Sequence, residues 1–495
     1  MTLSSYDEVP YPSYPFPETQ PAHLATVARL FGVPAPAPDV CRVLELGCAA
    51  GGNLIPLAVA WPRASFIGID LSGYQIAEGR ERVRRLGLDN IELRHGDLSD
   101  LDSGAGTFDY IICHGVYSWV ARSVQERILA VSRDHLTPHG VAYVSYNTYP
   151  GWHLMSAIRD MMLYHAGRFA APSARVTQAR AFLDFLARWS PARDDAYGAL
   201  LRAEAASLRQ KSDAYLYHEH LEAVNDPIYF AEFVRRAERA GLSYLAETQV
   251  RVMLASDLPP EVQESLRLLA PDVLDLEQYL DFLRNRTFRR TLLCRTGGAI
   301  DRSLGGTAVE AMYVACTLRP ELETVDLAEG VEAWFVDPGG GRLRTTDRVM
   351  KGLLLTLGAC WPRATPTAEL RREMAACLAP LDEAVRRELG SALSRRLVDY
   401  YLHGVIELHV VPPPVGIADE RAEASPLARL QAAESDRVTN LRHQVMALTV
   451  EERRLLPMLD GTRTIAELAP QSAADAAAAV RQLAAKSLLL PARWH

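Results

Sequence analysis

The sequence has little lysine, no paired cysteine motif and no long apolar run. Only three of its 53 basic residues are lysine, at positions 211, 351 and 486, as a GC-rich genome would produce without a functional cause. Its seven cysteines are scattered without a C-x-x-C pair, which disfavours a zinc site or a disulfide framework. No stretch approaches about 18 uninterrupted apolar residues, and no leader-like segment opens the chain. We therefore expect a soluble, cytoplasmic protein with no metal and no membrane span.

Length and charge limit the architecture and the partners. At about 150 residues per domain, the 495 residues predict three or four domains. The net charge of -8 argues against a nucleic-acid-binding surface over the whole chain, because phosphate binding depends on clustered positive charge.

The most informative stretch is VLELGCAAGGN at 43–53, where an apolar run ends in an acid, a glycine and a small-residue turn. It predicts a strand, a tight loop and a helix. The three glycines let backbone come close to a ligand, and the free amides of the helix face that ligand. The spacing departs from the dinucleotide fingerprint G-x-G-x-x-G and resembles the first motif of class I S-adenosylmethionine (AdoMet) methyltransferases.

Strands and helices alternate after this loop, which predicts a parallel sheet with helices on both faces. The predicted strands are 42–47, 65–69, 91–94, 109–113 and 141–146, and the predicted helices are 52–60, 73–86 and 123–134. Ligands of such sheets lie beyond the carboxyl ends of the strands. We therefore expect an α/β fold, and the resemblance of the loop implies a Rossmann-like class I methyltransferase sheet.

Acidic residues follow three successive strands at that edge. Asp70 is placed to accept hydrogen bonds from ribose hydroxyls, Asp97 to bind the adenine amino group and Leu98 to flank the ring. A single aspartate after a strand is more often a turn former or a helix cap. The conjunction of Glu45, Asp70 and Asp97 is what favours nucleoside recognition.

Five runs, one of them the loop described above, resemble one group of bacterial methyltransferases, those that carry a methyltransferase regulatory domain. They are YDEVPY at 6–11, ELGCAAGGN at 45–53, HGVYSWV at 114–120, SYNTYPGWH at 145–153 and NDPIYFAEF at 225–233. Some members of the group are protein-lysine methyltransferases that act on outer-membrane proteins. The resemblance implies a homodimer with helical and C-terminal domains around a large open cleft.

Site residues follow from the motifs and this resemblance. The residues expected to bind AdoMet are Tyr11, Glu45, Gly47, Cys48, Ala49, Gly51, Asn53, Asp70, Leu71, Gln75, Asp97, Leu98 and His114. The expected catalytic residues are His114, Tyr117, Trp119 and Tyr146.

The acceptor side is expected in the aromatic loops after the fourth and fifth strands. Tyr117, Trp119, Tyr146 and Tyr149, joined by Tyr11, would form a pocket that lowers the pKa of an ammonium group and tolerates its methylation. His114 is suited to act as a general base, although it could instead cap the adenine or orient a loop.

The chain is divided into five parts by its changes in pattern. The AdoMet-binding catalytic domain is expected at 1–152 and 221–256, a helical insertion that could pair with a second copy at 153–220, a middle or regulatory domain at 257–345, and winged-helix-like units at 346–415 and 424–495. Residues 277–293 look helical with a basic, solvated face. Residues 346–495 hold 19 basic against 18 acidic residues, so these units favour protein contacts over DNA.

Three functions fit these observations. The first is an AdoMet-dependent methyltransferase that N-methylates lysine side chains of a protein substrate. The second is an O-, N- or C-methyltransferase of a natural product or its peptide precursor, recruited by the C-terminal unit. The third is a regulatory protein that only senses AdoMet, against which the aromatic runs at 117–119 and 146–149 count.

Overall fold

A seven-stranded sheet organises the chain up to Arg295. The structure is a computed structural model that describes residues 8–9, 13–98, 101, 103–190, 195–468 and 473–491. The strands are Arg42–Leu46 (β1), Ser65–Asp70 (β2), Ile91–His95 (β3), Phe108–Cys113 (β4), Leu136–Asn147 (β5), Leu242–Glu247 (β6) and Phe288–Arg295 (β7). Their order is β3-β2-β1-β4-β5-β7-β6, and β7 runs antiparallel to both of its neighbours. The Rossmann-like α/β prediction is confirmed.

Helices cover the sheet because each carries an apolar stripe that must be buried. They are Pro21–Leu30 (α1), Leu54–Ala60 (α2), Gly73–Leu86 (α3) and Arg122–His135 (α4). The first strands and helices lie within two residues of their predicted positions, whereas β5 begins five residues earlier than predicted.

The seventh strand lies where the sequence predicted a basic helix, so that prediction is wrong beyond Arg284. A helix does form at Val273–Arg284, but Asn285 ends it with a φ of 46°, the left-handed conformation that asparagine tolerates. The chain then enters β7, in which Arg289 is fully buried. The apolar run at residues 250–254 predicts a strand, but the structure has a 3-10 helix at Val250–Met253.

A helical insertion follows β5 and has a small core of its own. Its helices are Gly151–Ala166 (α5), Pro172–Trp189 (α6), Ala196–Leu208 (α7) and Asp213–His220 (α8). Phe230–Arg239 (α9), Pro260–Leu269 (α10) and Val273–Arg284 (α11) then lead through β6 to β7. The insertion therefore leaves the sheet at the same edge as the glycine-rich loop.

The rest of the chain contains two mixed units. The strands of the first are Tyr313–Ala315 (β8), Arg319–Pro320 (β9), Ala333–Val336 (β10), Arg342–Thr345 (β11), Thr365–Pro366 (β12) and Glu407–His409 (β13), and its helices are Arg348–Cys360 (α12), Thr367–Cys377 (α13), Glu383–Arg387 (α14) and Leu393–Leu402 (α15). The second contains Pro426–Glu434 (α16), Arg437–Thr439 (β14), Val445–Ala447 (β15), Val450–Leu455 (α17), Ile465–Leu468 (α18) and Ala473–Ala485 (α19). In the second unit, β14 and β15 pair as the hairpin of a winged helix.

One of the three lysines is buried and holds a neighbouring loop through hydrogen bonds. Lys351 of α12 is fully buried, and its Nζ donates to the carbonyl oxygens of Asp326, Ala328 and Val331 at 2.9, 2.6 and 3.0 Å. Three carbonyl acceptors satisfy all three ammonium donors.

Across the ranges that the structure describes, we find no helix with the length and apolar content needed to cross a membrane.

Candidate functional site

The glycine loop, residues 47–53, lies between β1 and α2 at the carboxyl edge of the sheet. Gly47 has a φ of 78°, and a Cβ at this position would lie 2.4 Å from Cγ2 of Val116. Gly51 also has a positive φ, of 72°. Side chains are thus excluded by conformation and by space, so the loop can present its backbone amides to a ligand.

Glu45 provides a buried carboxyl group beneath this loop. Its Oε1 accepts a hydrogen bond of 2.8 Å from Nδ2 of Asn53, whereas its Oε2 is buried with no hydrogen-bond partner among the described residues. Burial raises the pKa of Glu45 to about 8, although the Asn53 bond opposes the rise. An uncompensated buried carboxylate oxygen is suited to a ligand that carries positive charge.

Asp70 joins the glycine loop to the start of α3. Its Oδ2 accepts the backbone N–H of Ala49, and its Oδ1 accepts that of Ser72, both at 2.8 Å. Ser72 in turn caps α3 through the backbone N–H of Gln75. The carboxylate predicted to bind ribose therefore also shapes the loop.

The other residues predicted around the nucleoside have mixed placements. Leu71 is 60% exposed beside Asp70, whereas Gln75 is buried under the first turn of α3. Asp97 is exposed after β3, and Leu98 packs its side chain against the core. Leu71 and Asp97 thus present accessible apolar and acidic groups at one edge.

Cys48 and Asn53 lie in the loop but point inward. Cys48 is buried, with its Sγ 2.6 Å from the position that a Cβ on Gly68 would occupy. Asn53 is 2% exposed and bonded to several protein groups, so it supports the loop rather than offering its side chain to a ligand. Tyr11, also predicted to contact AdoMet, lies outside the described residues.

The N-terminal segment covers the glycine loop from above. The Oγ of Ser13 accepts the backbone N–H of Gly52 at 2.8 Å. The Phe16 ring lies on the His114 ring with centroids 3.8 Å apart, and Glu18 forms a 2.8 Å ion pair with Arg290 of β7. The prolines of this segment are typical of an extended backbone, but the sequence does not show these contacts.

His114 is held as a neutral ring. Its Nδ1 forms a 2.7 Å hydrogen bond with the hydroxyl of Tyr143, and burial together with the positive charge of Arg290 lowers the pKa of His114 to about 3. A group with so low a pKa accepts protons poorly near neutral pH. Its packing against Phe16 therefore favours the second predicted role, orientation of the loop, over general-base catalysis.

Two of the predicted catalytic aromatics belong to the core. Tyr117 and Tyr146 are at most 1% exposed and pack against Phe233, with the Tyr146 ring stacked on it at 4.0 Å. The hydroxyl of Tyr146 also bonds Oγ1 of Thr291 at 3.1 Å. This corrects the prediction that both rings line the acceptor pocket, because each is enclosed by neighbouring side chains. Trp119 is half-buried and meets Trp152 edge to face.

The accessible aromatic surface lies slightly further along the chain. Tyr149 stacks on His153 with centroids 4.0 Å apart and lies 5.3 Å from the Tyr229 ring. His153 and Tyr229 are exposed and are joined by a 3.0 Å hydrogen bond. The sequence indicated Tyr149, but it missed the partners that α5 and the segment before α9 bring to it.

Acidic side chains border this surface. The charges of Asp226 and Asp160, after burial, contribute to a raised pKa of the Tyr149 hydroxyl. Asp226 is tied to the loop after β4, since its backbone N–H donates to the carbonyl of Ser118 at 2.7 Å. Aromatic faces next to carboxylates attract cations.

Comparison with known families shows three matches along the chain. A model described as "Methyltransferase domain" matches residues 43–140 and one described as "Predicted methyltransferase regulatory domain" matches 212–295. A third, "PKMT, C-terminal winged helix domain", matches 420–487.

Two proteins of Rickettsia prowazekii are similar to this chain at 38% identity. The protein RP789 matches over 467 residues, which are 92% of this chain and 83% of that protein. The protein RP028 matches over 235 residues, which are 48% of this chain and 94% of that protein. Among solved structures, PKMT2 from Rickettsia typhi in complex with AdoHcy matches with a TM-score of 0.86 and 29% identity, covering 97% of this chain and 100% of that chain.

Proposed function

This chain belongs to the class I methyltransferases that carry a methyltransferase regulatory domain and a PKMT-type winged-helix domain, and on that premise we propose that it methylates lysine side chains of a protein substrate. The match to PKMT2 over 97% of this chain carries the proposal. Because the Rossmann-like sheet serves methyltransferases with many acceptors, the similarity of the additional domains is what favours a protein acceptor.

S-adenosylmethionine fits the groups at the carboxyl edge of the sheet. Glu45 offers an unsatisfied carboxylate oxygen to a cationic ligand, the glycine loop leaves room for it, and Asp70 carries the carboxylate suited to ribose hydroxyls. Asp97 and Leu98 follow β3 at the same edge and would contact the base. When bound, this cofactor supplies a methyl group on a positively charged sulfur.

The acceptor subsite that we propose is the surface of Tyr149, His153 and Tyr229. Its rings and the nearby carboxylates of Asp226 and Asp160 attract a lysine ammonium group and remain compatible with its methylated forms. The surface follows β5, whose carboxyl end lies beside the loop after β4 in the sheet.

These residues act by orienting the acceptor amine. Methyl transfer requires the lone pair of the acceptor nitrogen to align with the bond that breaks, and a positioned amine gains most of its rate from that alignment. The neutral His114 leaves the amine proton to be released to water, for which no dedicated base is required.

Labelling experiments test the proposed reaction. We expect the purified protein, given methyl-labelled AdoMet and a bacterial cell-envelope protein fraction, to place the label on lysine side chains, as read by mass spectrometry of digested proteins. Label found only on small molecules, or on residues other than lysine, would overturn the lysine assignment and favour the natural-product alternative.

Tyr149→Ala tests the acceptor subsite. Loss of the central ring should lower kcat/KM for the protein acceptor by about tenfold, on the scale of a cation–π contact at a half-buried ring, with AdoMet affinity unchanged. Tyr164→Ala is the matched control, because Tyr164 is 73% exposed on α5 and lies outside the proposed subsite. Equal kcat/KM values for the two variants would contradict the assignment.

We also propose that the chain forms a homodimer through the helical insertion. Phe185 and Trp189 are 56% and 64% exposed on α6, one turn apart and opposite the buried face formed by Val176, Ala179 and Leu183. Large apolar side chains grouped on one surface favour a protein contact.

Charge placed on this face should break the dimer. Phe185→Glu with Trp189→Glu is expected to shift the mass measured by light scattering from two chains to one, because a dimer contact would bury both carboxylates. Leu268→Glu is the control, since Leu268 is 80% exposed on α10, outside the helical insertion. A wild-type mass of one chain would refute this proposal.

We propose a cytoplasmic location, where thiols stay reduced. The seven cysteines are free in the structure, and five of them are buried.

A further inference from the structure

The hairpin turn of the second winged-helix unit, residues 440–444, reaches the catalytic domain. The side-chain oxygen of Asn440 accepts the backbone N–H groups of Arg442 and Gln444 at 3.0 and 2.8 Å, which closes the turn. Within it, His443 has a φ of 63° and is 2% exposed. The turn therefore projects one histidine in a fixed, strained conformation.

His443 ends on the glycine loop. Its Nε2–H donates to Oδ1 of Asn53 at 2.7 Å, and both side chains are buried. The two residues are 390 positions apart in sequence, so no local pattern relates them. The contact lies one residue before α2, next to the glycines that shape the loop.

Asn53 connects His443 to two other groups of the site through hydrogen bonds. Its Oδ1 also accepts the backbone N–H of Phe16 at 2.9 Å, while its Nδ2 donates to Oε1 of Glu45 at 2.8 Å. Because His443 and Phe16 require the oxygen on one side of the amide, the nitrogen must face Glu45. Glu45 then keeps its other oxygen unsatisfied beneath the loop.

A second contact, at the periphery, also joins the winged-helix unit to the catalytic domain. Arg85 at the end of α3 forms a 3.0 Å ion pair with Glu434 of α16, and both side chains are about half exposed. This ion pair joins the same unit to the catalytic domain but does not contact the glycine loop. Removing it therefore serves as a control that weakens docking of the unit without removing the His443 contact.

We propose that His443 is a positioning residue of the cofactor site, and that the winged-helix unit thereby sets the affinity of the catalytic domain for AdoMet. The residue acts through Asn53, which orients Glu45 and anchors Phe16 over His114. The proposal rests on the proposed function only for the identity of the cofactor, since it concerns binding and not the methyl acceptor. A domain appended at the far end of the chain is then part of the cofactor pocket.

Three substitutions in the full-length protein test this role, with S-adenosylhomocysteine binding measured by calorimetry. His443→Asn tolerates the positive φ but is too short to reach Asn53, and we expect about tenfold weaker binding, the scale of one lost buried hydrogen bond. His443→Gln places an amide N–H where Nε2 stood and should restore affinity to within about threefold of wild type. Arg85→Ala should leave affinity unchanged.

A double-substitution cycle distinguishes positioning from general destabilisation. If His443 acts through Asn53, then His443→Asn should weaken binding no further in an Asn53→Ala background. Additive losses, or unchanged affinity in His443→Asn, would overturn the proposal. Thermal unfolding of each variant, followed by circular dichroism, shows whether it is folded at the temperature of the titration. Binding by wild type with no lysine methylation would refute the proposed function but leave this inference standing.

Discussion

Replacing Arg289 with methionine should lower the free energy of unfolding by about 3–5 kcal/mol, the range for removing one partner of a buried ion pair. Arg289 is fully buried in β7 and meets three carboxylates. It contacts Glu247 at 3.0 Å, Glu277 at 3.1 Å and Asp281 through two bonds of 2.8 Å. Its guanidinium also lies 3.7 Å from the centroid of the Phe230 ring. Methionine would fill the space but leave buried negative charge uncompensated.

The loss of unfolding free energy in Arg289→Met should depend on pH in a defined direction. Burial raises the pKa of Glu277 and Asp281 above their ordinary values, while Arg289 opposes the rise. Without Arg289 these pKa values rise further, so the folded variant takes up protons that the unfolded chain does not. Stability from such groups is present at low pH and is lost as pH increases through the folded-state pKa. The deficit of Arg289→Met should therefore be larger at pH 8 than at pH 5.5.

Urea unfolding at the two pH values measures this difference. Arg295→Met is the control, because Arg295 ends the same strand, is exposed, and donates to the carbonyl of Leu136 at 3.1 Å. Arg295→Met should lower the free energy of unfolding by about 1 kcal/mol or less at either pH. A deficit for Arg289→Met that matched this control, or that grew towards low pH, would refute the account of the buried cluster.

Asp70→Asn should weaken AdoMet binding by at least about 1.5 kcal/mol, or more than roughly tenfold, the scale of a charge-assisted hydrogen bond. The carboxylate accepts the N–H groups of Ala49 and Ser72, and an amide nitrogen cannot accept either. The substitution therefore disturbs the glycine loop and also removes the charge offered to ribose. Calorimetry with AdoMet reads the combined effect.

Asp109→Asn provides the matched control for this substitution. Asp109 accepts the backbone N–H of Arg42 at 2.9 Å, so it makes a similar contact at the start of β1, away from the glycine loop. We expect this variant to lose some thermal stability but to bind AdoMet as wild type does. Unchanged affinity in Asp70→Asn would contradict the placement of the ribose beside it.

The first five strands of the sheet were predictable because their apolar runs end in polar residues at regular intervals. The seventh strand was not, since its sequence FRRTLLCR carries adjacent arginines that normally mark a solvated surface. Only the carboxylates from α11 and β6, which the fold brings to Arg289, explain how this residue can be buried. A charge in a strand can be interpreted only together with its distant partner.

In the candidate site, too, the sequence predicted only what local signals indicate. Glycine spacing, the acids at the ends of β1 and β2, and the acid after β3 indicated the ligand edge, because these signals are local. The aromatic runs were identified as a group, but sequence cannot say which rings face outward, and Tyr146 points into the core while Tyr149 does not. The contact between Asn53 and His443 crosses most of the chain and leaves no local signal.

The burial of Lys351 has a practical consequence for chemical labelling of this protein. Lys486 is also engaged, through Glu452 at 2.7 Å and the carbonyl of Ala447, which leaves Lys211 as the exposed lysine with its Nζ 5.0 Å from the Tyr215 ring. Amine-reactive dyes and coupling resins would therefore find essentially one lysine to modify, at the start of α8 and remote in sequence from the glycine loop. A chain with so few accessible lysines contributes little background of its own when methylated lysines are counted in a mixture.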